Sequence, residues 1–174
     1  MTDGFPLEAG AVRLRRFRAG DLAAFQAYRR DEETGRFQSW ERMSDERAAR
    51  FIAAVAGGPV APAGEWGQIA VADAKNDALN GDIGVCVSAD ETEAEIGFTL
   101  APGARGAGRG AAAVGATIGW LLDRRGVGRV YGITDVLNTP SARLMERVGM
   151  RFAGQENAVF NGAPCVEATY EIRR

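Results

Sequence analysis

One segment constrains the fold of this chain more than any other: the run EIGFTLAPGARGAGRGAAAVGATIGWLL, residues 95–122. It reads as a strand, a turn with glycine at positions 106, 108 and 110, and an apolar helix. Glycine costs about 0.5–1 kcal/mol relative to alanine in regular structure, so such a turn indicates backbone that must stay bare. Amide N–H groups at a helix N-terminus favour a bound anion. The turn therefore predicts a phosphate ligand, with a plain tight turn as the alternative.

Several classes of site and partner are excluded by the residues that are missing. The Walker pattern GxxxxGK[ST] is absent, and the three glycines give GxGxG instead of the dinucleotide pattern GxGxxG. The chain has no histidine, which removes Ser-His-Asp triads, HExxH zinc sites and histidine bases. Its one lysine, Lys75, lies in a polar stretch that does not suit a Schiff base.

Charge and hydropathy limit the partners further. The net charge is −2, so nothing indicates a nucleic-acid partner. No apolar run approaches the roughly 20 residues that a membrane span needs, and we expect no membrane partner. The N-terminus shows no basic-then-apolar signal, so we expect a cytoplasmic protein.

The periodicity of apolar residues predicts the order β-α-α-β-β-β-α-β-α-β-β. Residues 12–17 are expected to form an edge strand, Asp21 and Ser44 to begin two helices, and residues 31–43 to connect them. Asn80-Gly81 predicts a hairpin turn just before the third strand. The remaining elements are strands at 65–73, 81–89 and 92–100, a helix at 110–125, a strand at 129–135, a helix at 139–148 and two closing strands. This order predicts a single domain over residues 1–174, with a mixed sheet and helices on both faces.

Residues 95–154 resemble the GCN5-related N-acetyltransferases (GNAT), and most of all the branch of the ribosomal-protein N-terminal acetyltransferases. Arg105, Gly108 and Gly110 match the family loop Arg/Gln-x-x-Gly-x-Gly/Ala. A downstream family motif, N-x-x-S-x-x-L-x-x-x-x-G-[FM], is matched by Asn138, Ser141, Leu144, Gly149 and Met150. The resemblance implies an α/β (α+β) fold. Its sheet would be mixed and mostly antiparallel, with six to seven strands, helices on both faces and a V-shaped splay between the fourth and fifth strands.

The resemblance also implies acetyl-CoA as the co-substrate, with no metal. The pyrophosphate would lie on the backbone N–H groups of Arg105, Gly106, Ala107, Gly108, Arg109 and Gly110. The pantetheine arm would run beside Phe98, Thr99 and Leu100, and Asn138 would bind that arm or the backbone near it. Two alternatives stay open: Asn138 as a helix-cap or loop residue, and the arginine side chains as solvated charges.

The implied reaction is direct attack of a primary amine on the thioester. Cys86 and Cys165 have no histidine to activate them, so an acyl-enzyme is not expected. A backbone N–H near Phe98 or Thr99 is the candidate for polarising the carbonyl. Glu95 is the first candidate base, beside Glu93 on the same strand face, with a water chain or a solvated strand face as alternatives. Ser141 is the candidate acid that protonates the leaving thiolate, and the hydroxyl of Tyr131 is the second candidate. Alternatively, Ser141 is only a residue at the helix N-terminus that bonds its own backbone.

The acceptor pocket is expected to involve Tyr28, Phe37, Trp40, Glu41 and Phe160, from the first helices, their connection and the last hairpin. Aromatic rings and a carboxylate can hold a cationic amine, but the same residues can cap a small core. The acceptor stays open among a peptide N-terminus, an aminoglycoside, a polyamine and a small metabolite amine, and a homodimer stays open too. The competing function is a non-catalytic module that binds coenzyme A or a protein.

Overall fold

The computed structural model describes residues 4–174. One sheet has the strand order β1-β2-β3-β4-β5-β6-β8-β7. The strands are β1 Leu7–Ala9, β2 Val12–Arg15, β3 Trp66–Asp73, β4 Leu79–Val87, β5 Glu93–Leu100, β6 Arg129–Asp135, β7 Arg151–Phe160 and β8 Ala163–Arg173. The helices are α1 Leu22–Arg29, α2 Glu32–Gly35, α3 Asp45–Gly57, α4 Arg109–Trp120 and α5 Thr139–Arg147. Every strand pair is antiparallel except β5 with β6.

The predicted fold class is confirmed, with eight strands instead of six or seven. The additional strand is β1, which pairs with β2 through Leu7 and Leu14 at one end and Ala9 and Val12 at the other. The prediction that residues 12–17 form an edge strand is therefore wrong, because β1 covers that edge. A strand of three residues is too short to show an alternating pattern in the sequence.

Helices lie on both faces of the sheet, because successive side chains of β3 belong alternately to two hydrophobic cores. Ile69 and Val71 belong to a core that includes Val114 of α4 and Met145 of α5. Ala70, between them, belongs to a second core with the buried residues of α1 and α3. Successive strand residues point to opposite faces, so α4 and α5 cover one face while α1 and α3 cover the other.

The connection between α1 and α3 is more ordered than the sequence predicts. Ser44 begins α3 as predicted, since its hydroxyl accepts the backbone N–H of Arg47 at 3.3 Å. Within the expected loop, the Asp31 side chain accepts the backbone N–H of Thr34 at 2.8 Å and begins the one-turn helix α2. A single turn carries too little periodicity to be seen in a sequence.

The predicted turn at Asn80-Gly81 is wrong, because both residues lie inside β4. The register of β3 and β4 shifts there, with Val71 opposite Gly81 and Ala72 opposite Leu79, so Asn80 forms a bulge. Gly81 has a different purpose: a Cβ there would lie 2.2 Å from the carbonyl oxygen of Thr99. The glycine permits a close approach of β5.

The splay between β5 and β6, the fourth and fifth of the predicted strands, is present. These two parallel strands pair only at Glu93–Arg129, Ala94–Val130 and Glu95–Tyr131. From residue 96 onward β5 pairs with β4 alone, while β6 continues along β8. The gap between them leaves one edge of β5 without a strand partner.

Candidate active site

The glycine turn presents a row of unpaired backbone donors. The N–H of Arg105 donates to the carbonyl of Pro102 at 3.3 Å, and the N–H of Ala112 donates to the carbonyl of Gly108 at 3.0 Å. The amides between them, residues 106–111, find no acceptor anywhere in residues 4–174. The Arg105 amide, expected among the phosphate-binding donors, is therefore already used, and the row of free donors is shifted by one residue. Consecutive free N–H groups at the start of a helix are the arrangement that suits a bound anion.

The three glycines serve two physical purposes. Gly106 and Gly108 have φ of 82° and 74°, a left-handed conformation that side chains other than glycine rarely adopt. Gly110 is needed for packing, because a Cβ there would lie 2.7 Å from the Cδ1 of Leu144 and 2.9 Å from that of Leu100. The start of α4 is thus held tightly between β5 and α5.

The pairing of β5 with β4 decides which of its backbone groups face the splay. The Ala101 N–H donates to Asn80 at 2.8 Å, and the Ser88 N–H donates to Glu93 at 2.9 Å. Hydrogen-bonded pairs alternate along an antiparallel ladder, so Thr99, opposite Asp82, directs its N–H and C=O to β4. Thr99 is therefore not the carbonyl-polarising donor, which leaves the N–H of Phe98 directed into the splay.

Two side chains reach the splay-facing carbonyls of β5. The amide of Gln38 donates to the carbonyl of Phe98 at 3.4 Å. The Nε of Arg105 donates to the carbonyl of Leu100 at 3.2 Å, and its Nη2 donates to the hydroxyl of Thr34 at 2.6 Å. The Arg105 side chain thus joins the glycine turn to α2.

A cavity of 720 Å³ joins these features. It brings together ten residues that the sequence proposed: Phe37, Phe98, Thr99, Leu100, Arg105, Gly106, Gly108, Gly110, Asn138 and Ser141. Ala107 and Arg109 of the glycine turn are not in its wall. The guanidinium of Arg109 lies 3.5 Å from the Asp73 carboxylate, so this side chain turns away from the cavity.

Asn138 and Ser141 begin α5 at the cavity wall. The Asn138 side-chain oxygen accepts the backbone N–H of Ser141 at 3.4 Å, which is the helix-cap geometry left open as the alternative for Asn138. The Ser141 hydroxyl has no hydrogen-bond partner among the described residues, although its residue lines the cavity. It is available to a bound ligand.

Glu95 lies half-buried on β5, outside the cavity wall. Burial raises the pKa of its carboxyl, and the nearby charge of Glu167 raises it further, while the Tyr131 hydroxyl at 3.5 Å lowers it. Glu93, on the same strand face, is not a source of this shift, because its carboxylate is paired with Arg129 at 2.9 Å. Glu167 reaches Glu95 from β8, which no local pattern could show.

The residues proposed for the acceptor pocket are not brought together as one wall. Only Phe37 lines the cavity. Tyr28 is 2% exposed and its hydroxyl donates to Asp82, so it is a core residue and not a pocket residue. Trp40 stacks on the buried guanidinium of Arg29, 4.4 Å from the ring centre. Glu41 is exposed beside Arg47, and the half-buried Phe160 ends β7.

Some cavity residues were not identified from the sequence. Thr34 and Gln38 come from the connection before α3, while Arg36, Arg143 and Arg147 add positive charge to the wall. An arginine on an exposed helix or loop carries no local signal of a ligand, because twenty arginines are spread over this chain. Arg143 and Arg147 are identified only by the approach of α5 to the glycine turn, and Thr34, Arg36 and Gln38 only by the approach of the connection around α2.

The family model described as an acetyltransferase (GNAT) domain matches residues 11–151. The chain therefore belongs to the GNAT family of acetyltransferases, as the sequence resemblance predicted. A search of curated proteins gives no match.

Solved structures agree on the fold. A GNAT-family acetyltransferase from Bacillus anthracis is 22% identical with a TM-score of 0.87, covering 97% of this chain and 98% of that one. Spermidine N-acetyltransferase from Vibrio cholerae, in complex with CoA and spermine, is 17% identical with a TM-score of 0.79, covering 94% and 95%. RimL, a ribosomal L7/L12 alpha-N-protein acetyltransferase in complex with coenzyme A, is 14% identical with a TM-score of 0.79, covering 95% of each chain. At these identities the likeness is one of fold.

Between residues 4 and 174, no helix is long and apolar enough to cross a membrane. In the same part of the chain, no three Cys, Asp or Glu side chains are grouped so that they could hold a metal ion.

Proposed function

We propose that this protein transfers the acetyl group of acetyl-CoA directly to a primary amine, on a small molecule or at a peptide N-terminus. One observation carries the proposal: the free amides of residues 106–111 lie at a cavity that reaches the splayed edge of β5. Family membership supports acetyl transfer as the chemistry.

The amides fit a pyrophosphate, and the rest of the cavity fits an extended arm. Backbone donors and the N-terminal dipole of α4 match negative charge without side-chain rearrangement. The splay-facing groups of Phe98 and Leu100 can pair with the amides of the pantetheine arm, as an added strand would. The Phe98 N–H would then polarise the thioester carbonyl and stabilise the charge that develops on it.

Glu95 is the proposed base for the acceptor ammonium. Its raised pKa makes it a better proton acceptor near neutral pH than an ordinary carboxylate. Glu93 is less suitable because its charge is neutralised by Arg129. A water chain ending at Glu95 would serve the same role, since the carboxyl lies outside the cavity wall.

Ser141 is the proposed acid for the leaving thiolate. Its hydroxyl has no hydrogen-bond partner within residues 4–174 and its residue lines the cavity, whereas the Tyr131 hydroxyl is directed to Glu95. Cys86 is a poor nucleophile here, because burial and the charge of Glu95 raise the pKa of its thiol. These contacts support direct attack over an acyl-enzyme.

The test is release of free thiol from acetyl-CoA over a panel of amines: polyamines, aminoglycosides, lysine and short peptides with free N-termini. We expect turnover with one class of amine and product carrying one acetyl group on nitrogen by mass spectrometry. Binding of acetyl-CoA with no turnover on any class would instead make the protein a coenzyme A-binding module.

A further inference from the structure

The positive charge around the cavity is greater than its pyrophosphate site requires. Four arginines line it, Arg36, Arg105, Arg143 and Arg147, against one acidic residue, Glu33. None of these arginines is in an ion pair with a carboxylate in the structure of residues 4–174. The whole chain carries a net charge of −2, so this concentration of positive charge is local.

The four arginines differ in how their guanidinium groups are used. Arg105 donates to Thr34 and to the Leu100 carbonyl. Arg36 stacks over the Phe37 ring at 4.9 Å. Arg143 and Arg147 make no hydrogen bond to any described residue, and both are exposed. Their donors are the ones left for a ligand.

The geometry of α5 brings this pair beside the anion site. Residues four apart on a helix lie on one face, about 6 Å apart at their Cβ atoms. Leu144, next to Arg143, packs against Gly110 so closely that a Cβ there would meet its methyl group at 2.7 Å. Arg143 and Arg147 are therefore next to the free amides at the start of α4.

Coenzyme A carries a second phosphate group besides the pyrophosphate, the 3′-phosphate of its ribose. A phosphate monoester bears about −1.5 to −2 charges at pH 7, and arginine binds such a group through paired N–H donors. The backbone amides of residues 106–111 would bind the pyrophosphate, which leaves the arginine pair for the monoester.

We infer that Arg143 and Arg147 form a subsite for the 3′-phosphate of coenzyme A and make the protein selective for it over 3′-dephospho-coenzyme A. This inference rests on the proposed function, because it assumes that the pyrophosphate occupies the glycine turn. The two ligands differ only by the 3′-phosphate, so their comparison isolates this subsite.

The experiment is calorimetric titration of the wild-type protein and of Arg143→Ala/Arg147→Ala with both nucleotides. We expect the wild-type protein to bind coenzyme A about tenfold or more tightly than the dephospho form, the scale of hydrogen bonds to a charged group. The double variant should bind both nucleotides alike, with its affinity for the dephospho form changed less than about threefold. Arg50→Ala, which removes an exposed arginine of α3 outside the cavity, should keep the preference.

The outcomes separate the two proposals. Equal binding of both nucleotides by the wild-type protein overturns the subsite and leaves the proposed function standing. So does a preference that survives in the double variant, or a double variant that weakens both nucleotides equally. Failure of the wild-type protein to bind either nucleotide overturns the proposed function together with the subsite.

Discussion

The two ends of the cavity are constructed differently. The anion end is continuous in the chain: one turn and the first residues of α4 supply all its backbone donors. The other end, around Phe37 and Gln38, is where we propose that the acceptor binds, and we call it the acceptor end. It depends on contacts between distant residues, such as Gln38 with Phe98. The same is true of the proposed base beyond the cavity wall, since Glu95 of β5 meets Tyr131 of β6 and Glu167 of β8. Backbone recognition needs only the right φ angles, whereas side-chain recognition needs several elements packed in register.

This difference predicts which amino-acid substitutions should reduce ligand binding or activity. Backbone donors depend little on the side chains around them, so within the turn itself the binding of a pyrophosphate should be sensitive mainly at Gly106, Gly108 and Gly110. The acceptor end should respond in a graded way to side-chain substitution. The following predictions test that contrast.

The largest effect is expected from Gly108→Val. The new side chain would point into the space that the phosphate must enter, because no atom lies within 4 Å of a Cβ built there. Acetyl-CoA at 100 times its Kd should raise the wild-type Tm by roughly 5–10 °C. The variant should show no such shift in a thermal melt.

The matched control is Gly126→Val. Gly126 has φ of 77°, against 74° for Gly108, and its Cβ would also meet nothing within 4 Å. Both variants carry similar backbone strain, but Gly126 lies outside the cavity. A normal Tm shift in Gly108→Val, or a lost shift in Gly126→Val, would contradict the assignment of the anion site.

Next in size is Glu95→Gln, which removes the proposed base. We expect kcat/KM to fall by about 10²-fold, the usual scale for loss of a general base, with an unchanged Kd for acetyl-CoA. The acid limb of the pH–rate profile should shift or disappear. A fall below about threefold with the same pH profile would leave proton removal to water or to free amine.

Stability should move in the opposite direction to activity in this variant. Folding raises the pKa of the Glu95 carboxyl, so the folded chain binds the carboxyl proton more tightly than the unfolded chain does. The free energy of unfolding that this proton contributes is lost as pH rises through the raised pKa. Glu95→Gln should therefore be at least as stable as the wild-type protein at pH 7, with the difference narrowing on acidification. Glu93→Gln, which breaks the pair with Arg129, should be slightly less stable and fully active.

Ser141→Ala should have a smaller effect. A thiol has a pKa of about 8.5, so its thiolate leaves without much help, and we expect kcat to fall about tenfold. The Kd for acetyl-CoA should stay within about twofold of its wild-type value. Equal kcat in the variant and the wild-type protein, with a loss in Tyr131→Phe, would transfer the acid role to Tyr131.

The smallest effect is expected from Phe37→Ala at the acceptor end. Phe37 is the one proposed acceptor residue in the cavity wall, and we expect KM for the amine to rise about fivefold, as for loss of one apolar contact. Glu41→Gln should change KM by less than about twofold, because its carboxylate is exposed and its one hydrogen bond to the described residues is with Arg47. The reverse order would place the acceptor beside Glu41, in the connection before α3.

The sequence by itself determined the family, the order of the main elements and the position of the glycine turn between β5 and α4. Each of these is local: glycine spacing needs a few residues, and apolar periodicity needs one helix or strand. Only the tertiary structure decided that the Arg105 amide is used by Pro102, that Tyr28 is a core residue, and that Glu167 acts on Glu95. These facts depend on register and on helix packing, which bring together residues that no spacing in the chain connects.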